Sequence, residues 1–446
     1  MSAMAETAST STAAAVVSQI VMNEDRFLSI LEKLIGQVAT LQNNPSQGLV
    51  PREDNAGDIV LEALKPYTVE NGGPLLVERV HFTEGRGNIL VRYPGTGDKT
   101  VSFLGSHLDV VPANPETWEV DPFHLSRDGD MLYGRGTTDC LGHVALITDL
   151  FCSLAEAKPA LARTVVGVFI ANEENGEIEG VGIDGLNSSG KLDELNLKNG
   201  PVMWVDSADS QPCIGTAGNL QWSVRAHGKL FHSGLPHQAI NPLELAMEAV
   251  AEIQKRFYRD FPPHPEEARY NYKTPSTMKP TQMECAKGSV NQIPPHATIM
   301  GDCRVTPFYK VADVRAAIEA YVADLNNNLA QLPTRGPCSK YELPDRKGRI
   351  ELTWIFDGED GIACSLDSEG NAALVGATRD VTGDAQPYSI SGSLPLVRWM
   401  QDNGFDVQIC GYGLSSRYHA ENECCSLSKM KEATRILAAV IARLEA

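Results

Sequence analysis

Residues Thr164-Val165-Val166-Gly167-Val168-Phe169-Ile170-Ala171 are followed directly by Asn172-Glu173-Glu174-Asn175. The apolar run predicts a strand that is buried on both faces, as strands of parallel sheets are. The two adjacent carboxylates cannot both enter a core, because an unpaired buried charge is costly or loses its ionisation. The segment is therefore either a solvated turn or a cation site, in which one carboxylate binds the ion and its neighbour takes up a proton.

Three further apolar runs also end in side chains that can bind metal ions. Residues 101–105 precede His107 and Asp109, residues 201–205 precede Asp206, and residues 407–411 precede a loop that contains His419. In an extended segment His107 and Asp109 point to the same face, where a carboxylate can fix the tautomer of a ligating imidazole. A polar strand end is the alternative interpretation of each run taken singly.

The segment Gly134-Arg135-Gly136-Thr137-Thr138-Asp139 lies before a predicted helix at residues 141–154. Its glycines allow a tight turn, and Asp139 can cap the helix, bridge two cations, or do both. Because sites in open α/β sheets form beyond the carboxyl ends of the strands, we expect the potential ligands to meet there. Two histidines and three carboxylates suit a pair of zinc-like ions about 3.5–4 Å apart.

These motifs resemble those of the two-metal amidohydrolase family that contains acetylornithine deacetylase, succinyl-diaminopimelate desuccinylase, aminoacylases and carnosinase-like dipeptidases. The resemblance is carried by residues 104–112, 134–139 and 171–174, and it extends from about residue 27 to the C-terminus. The second half, including residues 411–414 and 418–423, is most similar to the plant-type deacetylase branch.

The resemblance implies a role for each residue of the cluster. His107 and His419 would each bind one metal ion, with Asp139 as the bridge between the ions. Glu174 and Asp206 would each hold one ion. The ions would be zinc, with cobalt as a substitute. Glu173 would be the general base and acid, and Asp109 would orient His107.

The resemblance also implies residues that act on the substrate. His232 would reach the active site of the partner subunit of a homodimer and serve there as an oxyanion donor. The remaining contacts to the substrate would come from Asn291, Arg304, Gly392 and Ser393. An arginine suits a substrate carboxylate because its planar fork bonds bidentately.

The chain departs from the family pattern in two places that bear on the site. Cys140 and Leu141 stand where many relatives have Met-Lys, so the usual lysine is missing. Asp206 stands where bacterial deacetylases have Glu, and Asp209 competes with it as the ligand. Glu423 fits the acidic position that often follows the last histidine.

The implied reaction is hydrolysis of the amide of an N-acyl amino acid, with N2-acetyl-L-ornithine giving L-ornithine and acetate on the route to arginine. A dipeptidase or a general aminoacylase would use the same chemistry on another substrate. A non-catalytic binding or scaffold relative is the alternative of a different class. The complete set of ligands, together with Glu173, argues against it.

Composition excludes several other classes of protein. The net charge of −19 disfavours nucleic acid and anionic membranes as partners. No stretch approaches the roughly 18 apolar residues that a membrane span needs. The ten cysteines form no CxxC pair, which favours reduced thiols. Residues 1–17 lack the basic region of a secretory signal, and we expect a cytoplasmic protein.

The predicted fold class is α/β. Residues 23–214 and 357–446 would form a catalytic α/β/α sandwich with a mixed sheet, and residues 215–356 a smaller inserted α+β domain for dimerisation or as a lid. Residues 1–22 are predicted to be a disordered tail, and residues 260–280 a loop. Predicted helices begin after Asn23 and cover residues 58–64, 241–257 and 311–329.

Overall fold

The computed structural model describes residues 12–446, which divide into two compact units. The first unit contains the described residues up to Ile214, together with Cys364–Tyr388 and Pro395–Ala446. The second contains Gly215–Ala363 and Ser389–Leu394. The α/β fold class, with a mixed sheet and a smaller inserted domain, is confirmed.

The first part of the chain alternates helices and strands. Its elements are α1 (12–17), α2 (Glu24–Ile35), α3 (Val38–Leu41), α4 (Asp54–Leu64), β1 (Leu76–His81), β2 (Gly87–Tyr93), β3 (Thr100–Leu104), β4 (Ser126–Asp128), β5 (Met131–Tyr133), α5 (Leu141–Ala157), β6 (Thr164–Phe169), α6 (Ile183–Ser188), α7 (Lys191–Glu194), β7 (Pro201–Val205) and β8 (Cys213–Gly215).

The inserted segment and the C-terminal part follow. The insert contains β9 (Gly218–His227), β10 (Phe231–His232), α8 (Pro242–Asp260), α9 (Pro265–Arg269), β11 (Thr277–Cys285), β12 (Gln292–Ile293), β13 (His296–Val305), α10 (Val311–Asn327), β14 (Glu342–Leu343), β15 (Arg346–Lys347) and β16 (Arg349–Glu359). The C-terminal part contains α11 (Glu369–Thr382), β17 (Tyr388–Ser389), α12 (Val397–Asp402), β18 (Asp406–Cys410), β19 (Cys424–Ser426) and α13 (Leu427–Glu445).

An eight-stranded mixed sheet organises the first unit, in the order β1-β2-β6-β3-β7-β18-β8-β17. Its four central strands, β6, β3, β7 and β18, are parallel to one another, whereas β1 pairs with β2, β2 with β6, and β8 with β18 in antiparallel fashion. The central strands consist almost entirely of buried residues. This parallel core brings the carboxyl ends of four strands to one edge of the sheet.

The second unit is built on a four-stranded antiparallel sheet in the order β11-β13-β9-β16. Along β9 and β13 buried and half-buried residues alternate, as expected when one face of a sheet is covered. Helices α8 and α10 cover it, and their apolar side chains form a separate core with residues such as Trp222, Ile253 and Ile318.

The predicted disordered tail is wrong for residues 12–22, whereas residues 1–11 lie outside the described part of the chain. Residues 12–17 form α1. The side chains of Ala13, Val17, Ile20 and Met22 are buried in the core of the first unit. These few apolar residues lie in or next to an Ala/Ser/Thr-rich stretch, so the sequence pattern did not predict that the segment packs against the core.

Other predicted boundaries differ by a few residues or more. The second crossing between the units lies at Ala363/Cys364 rather than at residue 357, which falls within β16, and Ser389–Leu394 also belongs to the second unit. Helix α4 begins at Asp54 rather than at residue 58. The predicted loop at 260–280 contains α9 and the start of β11. Asn23 caps α2 as predicted, since its side chain accepts a hydrogen bond from the Arg26 backbone.

Within residues 12–446, none of the helices is long and apolar enough to cross a membrane.

We expect the substitution Ile20→Ala to lower the stability of the first unit by about 2–5 kcal/mol, because it removes a side chain from a packed core. Ile20 is 6% exposed, whereas the neighbouring Val21 is 63% exposed. Val21→Ala is therefore the matched control and should change stability by less than about 0.5 kcal/mol. Denaturant unfolding of both variants measures the difference. Equal effects would contradict the docking of the N-terminal segment.

Candidate active site

The four parallel strands each lead into one of the predicted ligands at the same edge of the first unit. His107 follows β3, Glu174 follows β6, Asp206 follows β7 and His419 follows β18. Two groups of side chains there have ligand atoms within 4.8 Å of one another. They are His107, Asp139 and Glu174, and His107, Cys140 and Asp206.

Asp139 lies between the two histidines. Its Oδ1 is 3.0 Å from Nε2 of His107, and its Oδ2 is 3.2 Å from Nε2 of His419. One carboxylate thus offers an oxygen to each ring, which is the arrangement expected of a residue that bridges two ions. Cys140, not Asp139, stands at the N-cap of α5, and it makes no side-chain capping bond. The alternative interpretation of Asp139 as a helix cap is therefore wrong.

The remaining carboxylates surround the same two rings. Oε2 of Glu174 is 3.2 Å from Nε2 of His419. Glu173 and Asp206 approach Nε2 of His107 at 3.8 Å and 4.0 Å. The side chain of His107 is fully buried, whereas that of His419 is 57% exposed. The cluster therefore meets solvent on the His419 side.

The pKa shifts of the cluster reflect the burial of several carboxylates close to one another. Burial, reinforced by the neighbouring carboxylates, raises the pKa of Glu173 well above its ordinary value. Burial and the charge of Asp139 raise the pKa of Asp206 to about 8. Hydrogen bonds to Asp139 and Glu174 raise the pKa of His419 to about 10. Two divalent cations would neutralise this charge, and the set of imidazole and carboxylate donors fits zinc-like ions.

Asp109 fixes the turn that carries the two glutamates. Its carboxylate accepts the backbone N–H groups of Glu173 at 3.1 Å and Glu174 at 3.0 Å, and the side-chain amide of Asn43 at 2.8 Å. Nδ1 of His107 lies 2.9 Å from the backbone oxygen of Asp109 but 3.5 Å from its carboxylate. The closest orienting contact to His107 therefore comes from the main chain of Asp109.

A second support for this turn was missed by the sequence analysis. Asn172 has a left-handed backbone with φ of 57°. Its N–H donates to Glu53 at 3.2 Å, and its side-chain oxygen accepts from Arg86 at 2.9 Å. Glu53 and Arg86 form a buried ion pair. An asparagine before two glutamates is the only local signal of this conformation, because asparagine tolerates φ above zero.

Glu423 fixes the loop that carries Asp139. Its carboxylate accepts backbone N–H groups from Gly136 at 3.0 Å, Thr138 at 2.8 Å and Asp139 at 2.9 Å. Arg135 adds a charged donor at 2.6 Å. A carboxylate that is ionised is purely an acceptor, so these four donors match it fully.

The structure locates the residues at which the chain departs from the family pattern. Asp209 is exposed and its carboxylate accepts the backbone N–H of Ser415 at 3.0 Å, whereas Asp206 belongs to the buried cluster. The geometry thus favours Asp206 over Asp209 as a ligand. Leu141, where many relatives have lysine, is fully buried in the apolar core.

The predicted substrate residues all lie in the second unit, where they form two groups. His232 and Asn291 line one cavity of about 370 Å³, and the N–H of Ser233 donates to the carbonyl of Asn291 at 2.9 Å. This group lies near the His296 end of β13, because β10 pairs with β12 and Gly228 bonds to Pro295.

Arg304 lies at the other end of β13, about 25 Å along the strand at roughly 3.3 Å per residue. Its guanidinium contacts Asp302 at 2.7 Å and the carbonyl of Ser391 at 3.4 Å. Ser393 accepts from Asn219 at 3.0 Å, and Gly392 accepts the N–H of Ala217 at 2.9 Å. Arg304, Gly392 and Ser393 therefore belong together, apart from His232 and Asn291.

A parallel sheet edge that gathers two histidines and several carboxylates is typical of a metal-dependent hydrolase. Residues 103–443 match the peptidase family M20/M25/M40, so the chain belongs to that family. It is 54% identical over 427 residues to the acetylornithine deacetylase of Arabidopsis thaliana, covering 95% of this chain and 96% of the relative. It is 51% identical over 444 residues to that of Dictyostelium discoideum, covering 96% and 99%.

The fold is shared with a dinuclear metal-binding peptidase of the M20 family from Bacillus subtilis. The TM-score is 0.62 at 13% identity, and the match covers 95% of this chain and 99% of that one. The family expected from the sequence motifs is confirmed.

We expect Glu423→Gln to lower metal affinity by about 10–100-fold, because the loop that presents Asp139 loses one of the two oxygens that accept its backbone N–H groups. Competition with a chelator measures the affinity, and a circular dichroism melt checks folding. Glu421→Gln is the matched control, since Glu421 is exposed two residues away. A folded Glu423→Gln variant with wild-type affinity would show that the loop holds its position without this anchor.

Proposed function

We propose that the protein hydrolyses N2-acetyl-L-ornithine to L-ornithine and acetate, a step that supplies ornithine for arginine biosynthesis. Two deacetylase relatives that match almost the whole chain support this substrate. The observation that carries the chemistry is the position of Glu173, which is mostly shielded from solvent among the candidate metal ligands and lies 3.8 Å from Nε2 of His107.

His107, Asp139, Glu174, Asp206 and His419 would hold two divalent cations. Zinc suits this donor set, and cobalt can replace it. When bound, the ions supply Lewis-acid polarisation of the amide carbonyl and lower the pKa of water near the site. Asp139 suits the bridging position, because each of its oxygens already faces a different histidine.

Glu173 acts as the proton carrier. Its carboxylate takes a proton from the attacking water and passes it to the nitrogen of the leaving amine as the C–N bond breaks. The hydrogen bond from its own backbone N–H to Asp109 fixes its place on the turn. The side chain is 12% exposed, so it is shielded from bulk water yet reachable from the cluster.

Residues of the second unit would recognise the substrate. Arg304 would bind the substrate carboxylate through its fork of donors, and Gly392 and Ser393 would line the pocket. His232, with Asn291 in the same cavity, would stabilise the oxyanion in the active site of a partner subunit. Separation of the two groups along β13 supports a homodimer in which different chains contribute them.

Two other assignments use the same site. A dipeptidase or a general aminoacylase would keep the metal ligands and Glu173 and change only the pocket. A non-catalytic relative would keep the fold without turnover. The ten cysteines form no CxxC pair, which favours reduced thiols and a reducing compartment such as the cytoplasm.

We expect Glu173→Gln to lower kcat for N2-acetyl-L-ornithine by about 10²–10⁴-fold while both metal ions stay bound, because only the proton carrier is removed. Amine release measures the rate, and elemental analysis measures the metal content. Glu179→Gln on the same loop is the matched control, since Glu179 is exposed. It should retain wild-type turnover.

A panel of dipeptides and other N-acyl amino acids separates the remaining alternatives. Turnover of dipeptides alone would retain the mechanism and overturn the substrate. No turnover of any compound by protein that holds both ions would favour the binding-protein alternative.

Mixing two inactive variants tests the role of His232 in a partner subunit. Glu173→Gln and His232→Ala chains, denatured together and refolded, should recover part of the wild-type activity. Some mixed dimers would then contain one site with an intact Glu173 and an intact His232 from the other chain. Each variant refolded alone is the control. If mixing restores nothing although mixed dimers form, His232 serves its own chain.

A further inference from the structure

Cys140 is a buried thiol that the proposed hydrolysis does not use. It follows Asp139 directly at the start of α5, and none of its surface is exposed. Its sulfur lies within 4.8 Å of ligand atoms of both His107 and Asp206. Thiolate, imidazole and carboxylate are the three ligand types that zinc takes from proteins. This second cluster therefore has the composition of a metal site with a sulfur ligand.

The carboxylate of Asp206 points independently to a ligand at this position. Its side chain is 6% exposed, and Nε2 of His107 lies 4.0 Å away, too far for a hydrogen bond. Among residues 12–446, no group donates a hydrogen bond to this carboxylate. A buried carboxylate without a donor is costly, and a cation shared with the ring and the sulfur would remove that cost.

His143 determines the hydrogen-bonding role of the sulfur. The backbone N–H of Tyr412 donates to Nε2 of His143 at 2.8 Å. A ring that accepts at Nε2 is neutral and carries its hydrogen on Nδ1. Nδ1 lies 3.3 Å from Sγ of Cys140, so His143 donates to the sulfur. An N–H donor behind a ligating atom is the outer contact that orients ligands in metal sites.

We propose that Cys140 binds, as a thiolate, the metal ion that His107 and Asp206 hold. The thiol proton is released to solvent when the ion binds. The inference rests on the proposed function only in requiring a divalent ion in the cluster. A sulfur ligand makes this position softer than a site of nitrogen and oxygen alone, and so favours thiophilic ions there. Among residues 12–446, the other group of potential ligands, which contains Glu174, includes no cysteine.

The alternative is that Cys140 is an inert packed thiol. Its sulfur lies 3.7 Å from the carbonyl oxygen of Val205, a distance compatible with a weak S–H contact. The two alternatives differ in whether the sulfur is bonded to the metal ion. Absorption spectroscopy detects such a bond directly.

The experiment loads the full-length protein with Co²⁺ and records its near-ultraviolet spectrum. A sulfur ligand gives a charge-transfer band that nitrogen and oxygen ligands do not give. We expect the band in the wild type and its loss in Cys140→Ser with two ions still bound. Cys152→Ser is the matched control, because Cys152 is buried in the same helix with its sulfur 3.6 Å from the Ala63 carbonyl. It should keep the band.

A wild-type protein that holds two cobalt ions and lacks the band overturns the proposal, and so does a band that survives in Cys140→Ser. If Cys140→Ser does not fold, His143→Gln provides the second variant. Loss of the donor to sulfur should shift the band, and an unshifted band in a folded His143→Gln protein counts against the assignment. The readout requires metal binding but no turnover, so failure of acetylornithine hydrolysis leaves it unaffected.

Discussion

The central constraint of this structure is negative charge buried at one edge of a parallel sheet. Asp139, Glu173, Glu174 and Asp206 converge on two histidines, and these four carboxylates have little access to solvent although the side chain of His419 is 57% exposed. Burial raises the pKa of Glu174, as it does for the neighbouring Glu173 and Asp206. Asp139 differs from these residues. Burial acts to raise its pKa, but hydrogen bonds from His107 and His419 hold the pKa below its ordinary value. Such a cluster is stable only when cations or protons balance it.

Two carboxylates outside the ligand cluster hold it in place. Asp109 and Glu423 are fully buried, and each is satisfied by backbone N–H groups and one side-chain donor or charge. Asp109 fixes the turn of the two glutamates, and Glu423 fixes the loop of Asp139. In the proposed mechanism, the same chemical group would thus serve as ligand, proton carrier or anchor. The number of donors around it decides which role it can take.

The sheet of the second unit separates the two groups of residues that we propose to contact the substrate. Strand β13 spans about 30 Å at roughly 3.3 Å per residue, with the His232 and Asn291 cavity near one end and Arg304 near the other. A strand holds such groups at fixed separation because its hydrogen-bonded neighbours restrain it on both sides. In a homodimer, this spacing would allow one chain to contribute to two sites.

The sequence by itself determined the parallel core and the class of chemistry, because apolar runs that end in His107, Glu174, Asp206 and His419 are local patterns. Tertiary structure decided what each polar residue does. The donation of the Glu173 and Glu174 backbones to Asp109 joins segments about 64 residues apart, and the donor from His143 to Cys140 depends on the main chain of Tyr412. Hydrogen-bond partners distant in sequence leave no local pattern, so only the folded chain could assign these roles.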